Sequence, residues 1–251
     1  MPSITAILLF FLYRIYQHGN KYHMTTYAII LAGGTGTRLG SSEPKQFLEL
    51  GNRPVIAWSL ETFNSHPMVD HIITVIPKAY HEKIAAIIDT YSISRYLKTV
   101  NGGNTRQESS WNAVHSVDFA EDDILLLHDA ARPFVNSDII RDCIVTAKKY
   151  GSAGTYVPAV DTITEIDENM VNKTLDRNVL YYTQTPQAFR YSIILDAHLK
   201  SNDAGRGPAT DDVSLVRNAG YQVHAVNGDY SNIKITTEYD YKLAQWFCSQ
   251  L

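Results

Sequence analysis

Three apolar runs constrain the architecture. They are "YAIILAG", "DHIITVIP" and "DDILLLHDAARPF", with "SAGTYVPA" a further strand. Each of the three is nearly continuous in apolar residues, without the alternation of a strand wetted on one face, and so reads as a strand buried on both sides. Helical patterns lie between them. "PVIAWSLETFNSH" sets Ile56, Leu60 and Phe63 on one face, and "YHEKIAAIIDTY" follows the second strand. "TRQESSWNAVHSV" turns Trp111, Val114 and Val117 inward. "SDIIRDCIVTAKKYG" carries Ser137 as an N-cap, basic residues in its last turn and a closing glycine. Repeated strand–helix alternation predicts an α/β fold: a mostly parallel, doubly wound sheet with helices on both faces. Such sheets bind ligands beyond the carboxyl ends of their strands, so the polar residues just after strands are the ones to examine.

The region Asp161–Gln187 breaks the rhythm. "DTITEIDENMVNKTLDRNVLYY" alternates, turns at Asp167–Asn169 and alternates again, which predicts an inserted β-hairpin. Helices over "YSIILDAHLK" and "TDDVSLVRNAG", strands over "YQVHAVNG" and "SNIKI", and a last helix with a T-x-x-D capping start are expected beyond it. At the other end, "ITAILLFFLY" is apolar but too short for a membrane span, and no cleavage pattern follows it. Residues 1–23 are read as an extension outside the fold, and 24–251 as one domain.

The net charge of −4 argues against general nucleic-acid binding, and the two cysteines, Cys143 and Cys248, have no spacing that suggests a zinc site. The chemistry points instead to the loop "LAGGTGTRLGSSEPKQF" after the first strand. It is not a dinucleotide fingerprint, because Leu39 stands where the third glycine belongs, and it lacks the G-K-[ST] of a P-loop. It is G-G-x-G-x-R followed by P-K-Q. Glycines let backbone N–H groups approach phosphate, and Arg38 and Lys45 supply the countercharge.

With "GGNTRQESS", "HDAARPF", "VPAVDTI", "LDRN", "QTPQAF", "TDDVSLV" and "SNIKIT" in the same order, the chain resembles the 2-C-methyl-D-erythritol 4-phosphate cytidylyltransferases of isoprenoid synthesis. The related ribitol 5-phosphate cytidylyltransferases are the alternative. The resemblance covers about Tyr27 to Trp246. It implies a Rossmann-like fold of the nucleotide-diphospho-sugar transferase type and CMP transfer from CTP to a polyol phosphate. Methylerythritol phosphate is the preferred acceptor on the strength of "HDAARPF" and "TDDVSLV".

By the same resemblance, Arg38, Lys45 and Lys234 stabilise the reacting phosphates. Ala32, Gly33, Gly34, Gly103, Asn104, Ser109 and Asp129 bind CTP, and Asp129 also holds Mg²⁺. The family often has an acid at the position of Asn104, so base reading is less secure there. Arg132, Thr162, Arg177, Thr185 and Thr210 embrace the acceptor, with Asp211 beside them. His128 is read as structural. The resemblance further implies a cytoplasmic homodimer joined through the hairpin arm, with Arg177 serving the partner's site. No membrane or nucleic-acid partner is expected.

Overall fold

The computed structural model describes residues 24–34, 43–203 and 209–250. The extension 1–23 lies outside them, as do Gly36, Arg38 and Gly40. The first strand, β1 (Thr26–Leu31), is buried throughout. After the short antiparallel pair β2 (Glu49–Leu50) and β3 (Arg53–Pro54) come helix α1 (Val55–Ser65) and strand β4 (His71–Ile76). Helix α2 (His81–Thr90), strand β5 (Tyr96–Asn101), helix α3 (Arg106–Val114) and strand β6 (Ile124–Asp129) follow, then helix α4 (Ser137–Tyr150) and strand β7 (Ser152–Pro158). The hairpin β8 (Thr164–Asp167) and β9 (Met170–Thr174) precedes strand β10 (Tyr181–Arg190). Helices α5 (Tyr191–Asp203) and α6 (Asp212–Asn218), strand β11 (His224–Asn227) and helix α7 (Glu238–Cys248) complete the chain. The seven-stranded sheet runs β11-β7-β10-β6-β1-β4-β5. Among the described strands of this sheet, only β10 is antiparallel to its neighbours.

The continuous apolar runs divide by period two. Ala28 and Ile30 of β1 join Ile72, Ile76, Ile124 and Leu126 on one face, beneath α1, α2 and α4. Tyr27, Ile29 and Leu31 join Ile73, Val75, Leu125 and Leu127 on the other, beneath α3, α5 and α6. Side chains alternate across a strand, so only an uninterrupted apolar sequence can feed two cores at once. Ile56, Leu60 and Phe63 are fully buried as expected. Val114 is buried, while Trp111 and Val117 are half-buried.

Three expectations need correction. The hairpin does not extend to Gln187. Its ladder closes at Thr164–Thr174, with Glu168 and Asn169 at positive φ in the turn. Tyr181–Arg190 is instead a strand of the main sheet, pairing antiparallel with both β6 and β7. "YYTQTPQAF" has the alternation of a wetted hairpin, but Gln184, Thr185 and Gln187 are buried among polar partners rather than exposed. "SNIKI" is not a strand. Asn232 is buried and donates to Gln184 Oε1 (3.1 Å) and Thr185 O (3.0 Å), so side-chain hydrogen bonds and not a ladder hold that segment in place. The N-cap of α4 is Asn136, not Ser137: Asn136 Oδ1 accepts from the Ile139 N–H at 2.9 Å. The T-x-x-D start of α7 forms a full capping box between Thr237 and Asp240.

Among the described residues no helix is long and apolar enough to cross a membrane. The cap assignment can be checked by thermal unfolding. Asn136→Ala should cost about 1 kcal/mol, and so lower Tm by roughly 2–4 °C, whereas Ser137→Ala should change it by less than a degree or so. Equal effects from the two substitutions would contradict the assignment.

Candidate active site

The carboxyl ends of β1, β5 and β6 open into a cleft of about 380 Å³. The β1 chain leaves the sheet through Ala32, Gly33 and Gly34, which all line it. Ala32 is pinned on both sides: its N–H donates to Val75 O (2.8 Å), and its carbonyl accepts from the buried Gln46 side chain (2.7 Å). Lys45 follows Pro44 in a single helical turn that brings its side chain back across the glycines. A Cβ on Gly34 would sit 3.5 Å from Lys45 Cε. Lys45 Nζ donates to Ile235 O at 2.9 Å, tying this loop to the segment that carries Lys234.

The far wall comes from the Gly102–Gly103 pair after β5 and from the first turn of α3. Thr105 caps that helix by accepting from the Glu108 N–H. Ser109 Oγ accepts from the Gly103 N–H (3.0 Å) and donates to Thr105 O (3.0 Å). Glu108 accepts from the Asn104 N–H at 2.7 Å. A Cβ on Gly103 would stand 2.2 Å from Glu108 Cβ, so only glycine fits. The loop is thus closed on α3 by small residues and short hydrogen bonds, leaving a narrow slot edged with backbone polar groups.

A second cleft of about 270 Å³ adjoins the first, lined by Arg132, Thr185, Thr210 and Asp211 among others. Arg106, Asp129 and Lys234 line both clefts. Asp129, the last residue of β6, is the hub of this junction. Its carboxylate faces Lys234 Nζ at 2.7 Å, Arg106 Nε at 3.5 Å and Arg132 Nε at 3.9 Å. Its N–H donates to Thr185 Oγ1 at 3.0 Å. Burial alone would raise its pKa. Arg106, Lys234 and Arg132 outweigh burial and hold it well below the usual carboxylate range. His128, one residue earlier, is fully enclosed between Arg132 O and Thr185 Oγ1. Burial pushes its pKa down to about 4, so it is neutral near pH 7 and structural, as expected.

The structure therefore gathers Ala32, Gly33, Gly34, Lys45, Gly103, Asn104, Ser109, Asp129 and Lys234 around one cleft, and Arg132, Thr185 and Thr210 around its neighbour. Both Nη groups of Arg132 already serve carbonyls, those of Asn232 (2.7 Å) and Thr183 (3.2 Å). Its guanidinium thus braces the Lys234 segment against β10. Thr162 and Arg177 are exposed and line neither cleft; Arg177 Nη1 donates to Val160 O at 3.0 Å. Arg38 lies outside the described residues. Arg106 was not singled out in the sequence. The available signal was a cation in the first turn of a helix, directly after the glycine pair.

A sequence-family model described as 2-C-methyl-D-erythritol 4-phosphate cytidylyltransferase matches residues 26–250. The chain belongs to that family. Among relatives, the 2-C-methyl-D-erythritol 4-phosphate cytidylyltransferase of Syntrophotalea carbinolica is 40% identical over 225 residues, covering 89% of this chain and 96% of that one. The same-named protein of Geobacter metallireducens is 40% identical over 233 residues, with 90% and 99% covered. The crystal structure of 4-diphosphocytidyl-2C-methyl-D-erythritol synthase from Anaerococcus prevotii superposes with a TM-score of 0.79 at 32% identity, covering 90% of this chain and 96% of that one. The cytidylyltransferase structure from Thermus thermophilus gives 0.73 at 25% identity, with 89% and 98% covered. The Rossmann-like fold expected from the sequence is the one these structures share.

The slot at Gly103 yields a direct test. A methyl group there must push α3 from the loop and break the Gly103–Ser109 hydrogen bond. Gly103→Ala should weaken CTP binding about tenfold or more in calorimetry while the protein still unfolds cooperatively. Wild-type affinity in the variant would remove this slot from nucleotide recognition.

Proposed function

We propose that this chain transfers a cytidylyl group from CTP to 2-C-methyl-D-erythritol 4-phosphate, giving 4-diphosphocytidyl-2-C-methyl-D-erythritol and pyrophosphate, a step of non-mevalonate isoprenoid synthesis. Membership of the family favours this acceptor over ribitol 5-phosphate. The observation that carries the reading is the pair of clefts meeting at Asp129, Arg106 and Lys234. One cleft suits a nucleotide and the other a small phosphate, and their shared wall is where the two must react.

In this reading an acceptor phosphate oxygen attacks the α-phosphorus of CTP in line. A new P–O bond forms, the α–β bridging bond breaks, and pyrophosphate carries away the bonding pair. The nucleophile is already anionic, so no general base is needed, and catalysis reduces to positioning and charge stabilisation. Lys45 and Arg38 act on the triphosphate from the glycine loop, and Lys234 acts on the α-phosphate from the adjoining segment to which Lys45 is hydrogen-bonded. The slot at Gly103, Asn104 and Ser109 offers backbone groups to the cytosine edge. Thr185 and Thr210 offer hydroxyls to the acceptor.

Magnesium fits the residues present in one respect. Asp129 offers an anionic carboxylate at the cleft junction, and a single carboxylate would suit Mg²⁺ bound mainly through phosphates. Among the described residues no group of three His, Cys, Asp or Glu forms a closed metal cage. The ion would supply charge neutralisation on the triphosphate. Asp129 would then share its carboxylate between the ion and Lys234, whose Nζ could turn toward phosphate.

The decisive assay follows pyrophosphate release with CTP and each polyol phosphate separately. Methylerythritol phosphate should be used at least tenfold better than ribitol 5-phosphate by kcat/KM, and a chelator should abolish turnover until Mg²⁺ is restored. The opposite acceptor preference would overturn the substrate assignment.

The active form is taken to be a cytoplasmic homodimer, with two polar phosphates as substrates and the hairpin as its joint. Ile166, Met170 and Val171 of β8–β9 are each more than 60% exposed, although an isolated two-stranded ladder is marginal in water. A second copy of the arm in a twofold dimer is the simplest cover. Arg177 follows the arm and lines neither cleft of its own chain. It is proposed to serve the partner's acceptor site, with Thr162 on the same arm. Mixing the inactive variants Arg177→Ala and Lys45→Ala tests this. If Arg177 acts across the dimer, random exchange should restore about a quarter of wild-type activity, because half the dimers are mixed and each has one intact site. Activity that stays at the level of the separate variants after verified exchange would show that Arg177 acts within its own subunit.

A further inference from the structure

Arg106 has been given no role in the reaction so far. Its position is nonetheless unusual. Arg106 opens α3, in the same turn that presents Ser109 to the nucleotide cleft, and lines both clefts. Its guanidinium is divided three ways. Nε faces Asp129 Oδ1 at 3.5 Å, and Nη1 donates to Asp212 Oδ2 at 2.6 Å. Asp212 sits in the first turn of α6, and its side chain is only 1% exposed, so the pair is held rigidly. The third nitrogen, Nη2, is buried and has no hydrogen-bond partner.

Buried donors of a charged group are almost always satisfied, and one left over beside a cleft calls for an acceptor. We propose that Arg106 is a further substrate-binding residue: its Nη2 donates to a phosphate oxygen of the acceptor where the two clefts meet, while Asp129 and Asp212 fix the plane of the guanidinium. This deepens the function proposed above and rests on it for the identity of the acceptor.

The charges favour the assignment. An incoming phosphate dianion meets the Asp129 carboxylate at this junction. Lys234 offsets one face of that carboxylate and Arg106 the other. Arg132, the remaining cation, has both Nη groups committed to carbonyls, and its Nε, also without a hydrogen-bond partner, faces the Asp129 carboxylate at 3.9 Å. Arg106 thus brings an uncommitted Nη2 to the shared wall. Its planar fork suits a tetrahedral phosphate held at a fixed angle better than a lysine would, since an ammonium offers only one point of charge.

The competing explanation is that Arg106 only braces α3 against α6. Arg106→Lys separates the two. A lysine can keep the ion pair with Asp212, and with it the brace, but not a second donor aimed at phosphate. Two readouts are needed. The first is kcat/KM for methylerythritol phosphate and KM for CTP. The second is the affinity for inorganic phosphate of protein loaded with CTP, by calorimetry. Arg106→Lys should retain the wild-type Tm within a few degrees, change KM for CTP less than threefold, and lose about 10²-fold in kcat/KM for the acceptor, with a parallel loss of phosphate affinity. Arg106→Met should lose at least as much. Wild-type phosphate affinity and kcat/KM in Arg106→Lys would overturn the proposal, and so would equal losses toward both substrates accompanied by a fall in Tm. If wild-type protein turns over no methylerythritol phosphate, the substrate assignment fails on its own. The phosphate titration then still decides whether Arg106 holds phosphate.

Discussion

The carboxylate of Asp129 holds the site together. It is the last residue of the buried strand β6, and three cations from three other parts of the chain converge on it. Arg106 comes from α3, Arg132 from the turn after β6, and Lys234 from the segment before α7. Such a cluster is costly if one partner is lost, because the remaining buried charges are left uncompensated. It is also directional in pH. Asp129 is more acidic in the folded chain than an ordinary carboxylate. Its contribution is therefore complete above the ordinary carboxylate pKa of about 4, and is lost as acid titrates the folded form below that. Near neutrality the junction has a fixed charge pattern, which a positional catalyst requires.

The antiparallel strand β10 converts a one-cleft sheet into a two-cleft one. It lies between β6 and β7, with its register against β7 shifted between Gln184 and Ala188. Around that irregularity its polar side chains turn to use. Thr185 Oγ1 accepts from the Asp129 N–H. Gln187 donates to Asp211 and accepts from the Val213 N–H, which fixes the start of α6. Gln184 donates to Asp229 O (2.8 Å) and accepts from the Asn232 side chain, which shapes the approach to Lys234. The same strand that follows the hairpin arm thus forms one wall of the proposed acceptor cleft.

What was legible in the sequence follows from the range of each interaction. β1, β4 and β6 were readable because burial on both faces leaves a local mark, an apolar run almost without gaps. Gly103 was found through the resemblance of "GGNTRQESS" to a family motif, and the residues alone showed only a strand stopping at a glycine pair. β10 was not readable. Its alternating polar residues are satisfied by groups distant in sequence, such as Asp211 and Asn232, and that pattern looks the same as exposure to water. "SNIKI" failed for the opposite reason, since its β-branched residues suggest a ladder while Asn232 takes the hydrogen bonds. Asn136 and Ser137 are both good caps, and only backbone geometry separates them. Arg106 stayed hidden because its partners, Asp129 and Asp212, are separated in sequence and meet only when α3 and α6 pack on the same face.

The titratable groups that are buried here also limit the chemistry. His128 and His198 are both pushed down to about 4 by burial, and Cys143 is pushed up to about 12. His198 is occupied with Ser110 at 3.1 Å, away from both clefts. Asp129, though buried, is held anionic by Arg106, Lys234 and Arg132. These two histidines and this cysteine are therefore not poised to exchange a proton near pH 7, as a general acid or base must be. A reaction that began by deprotonating an alcohol would be poorly served. A reaction whose nucleophile is a phosphate brings its own negative charge, with a second ionisation near pH 6. In the proposed reaction the site's cations, oriented by Asp129 and Asp212, would hold that charge against another phosphate.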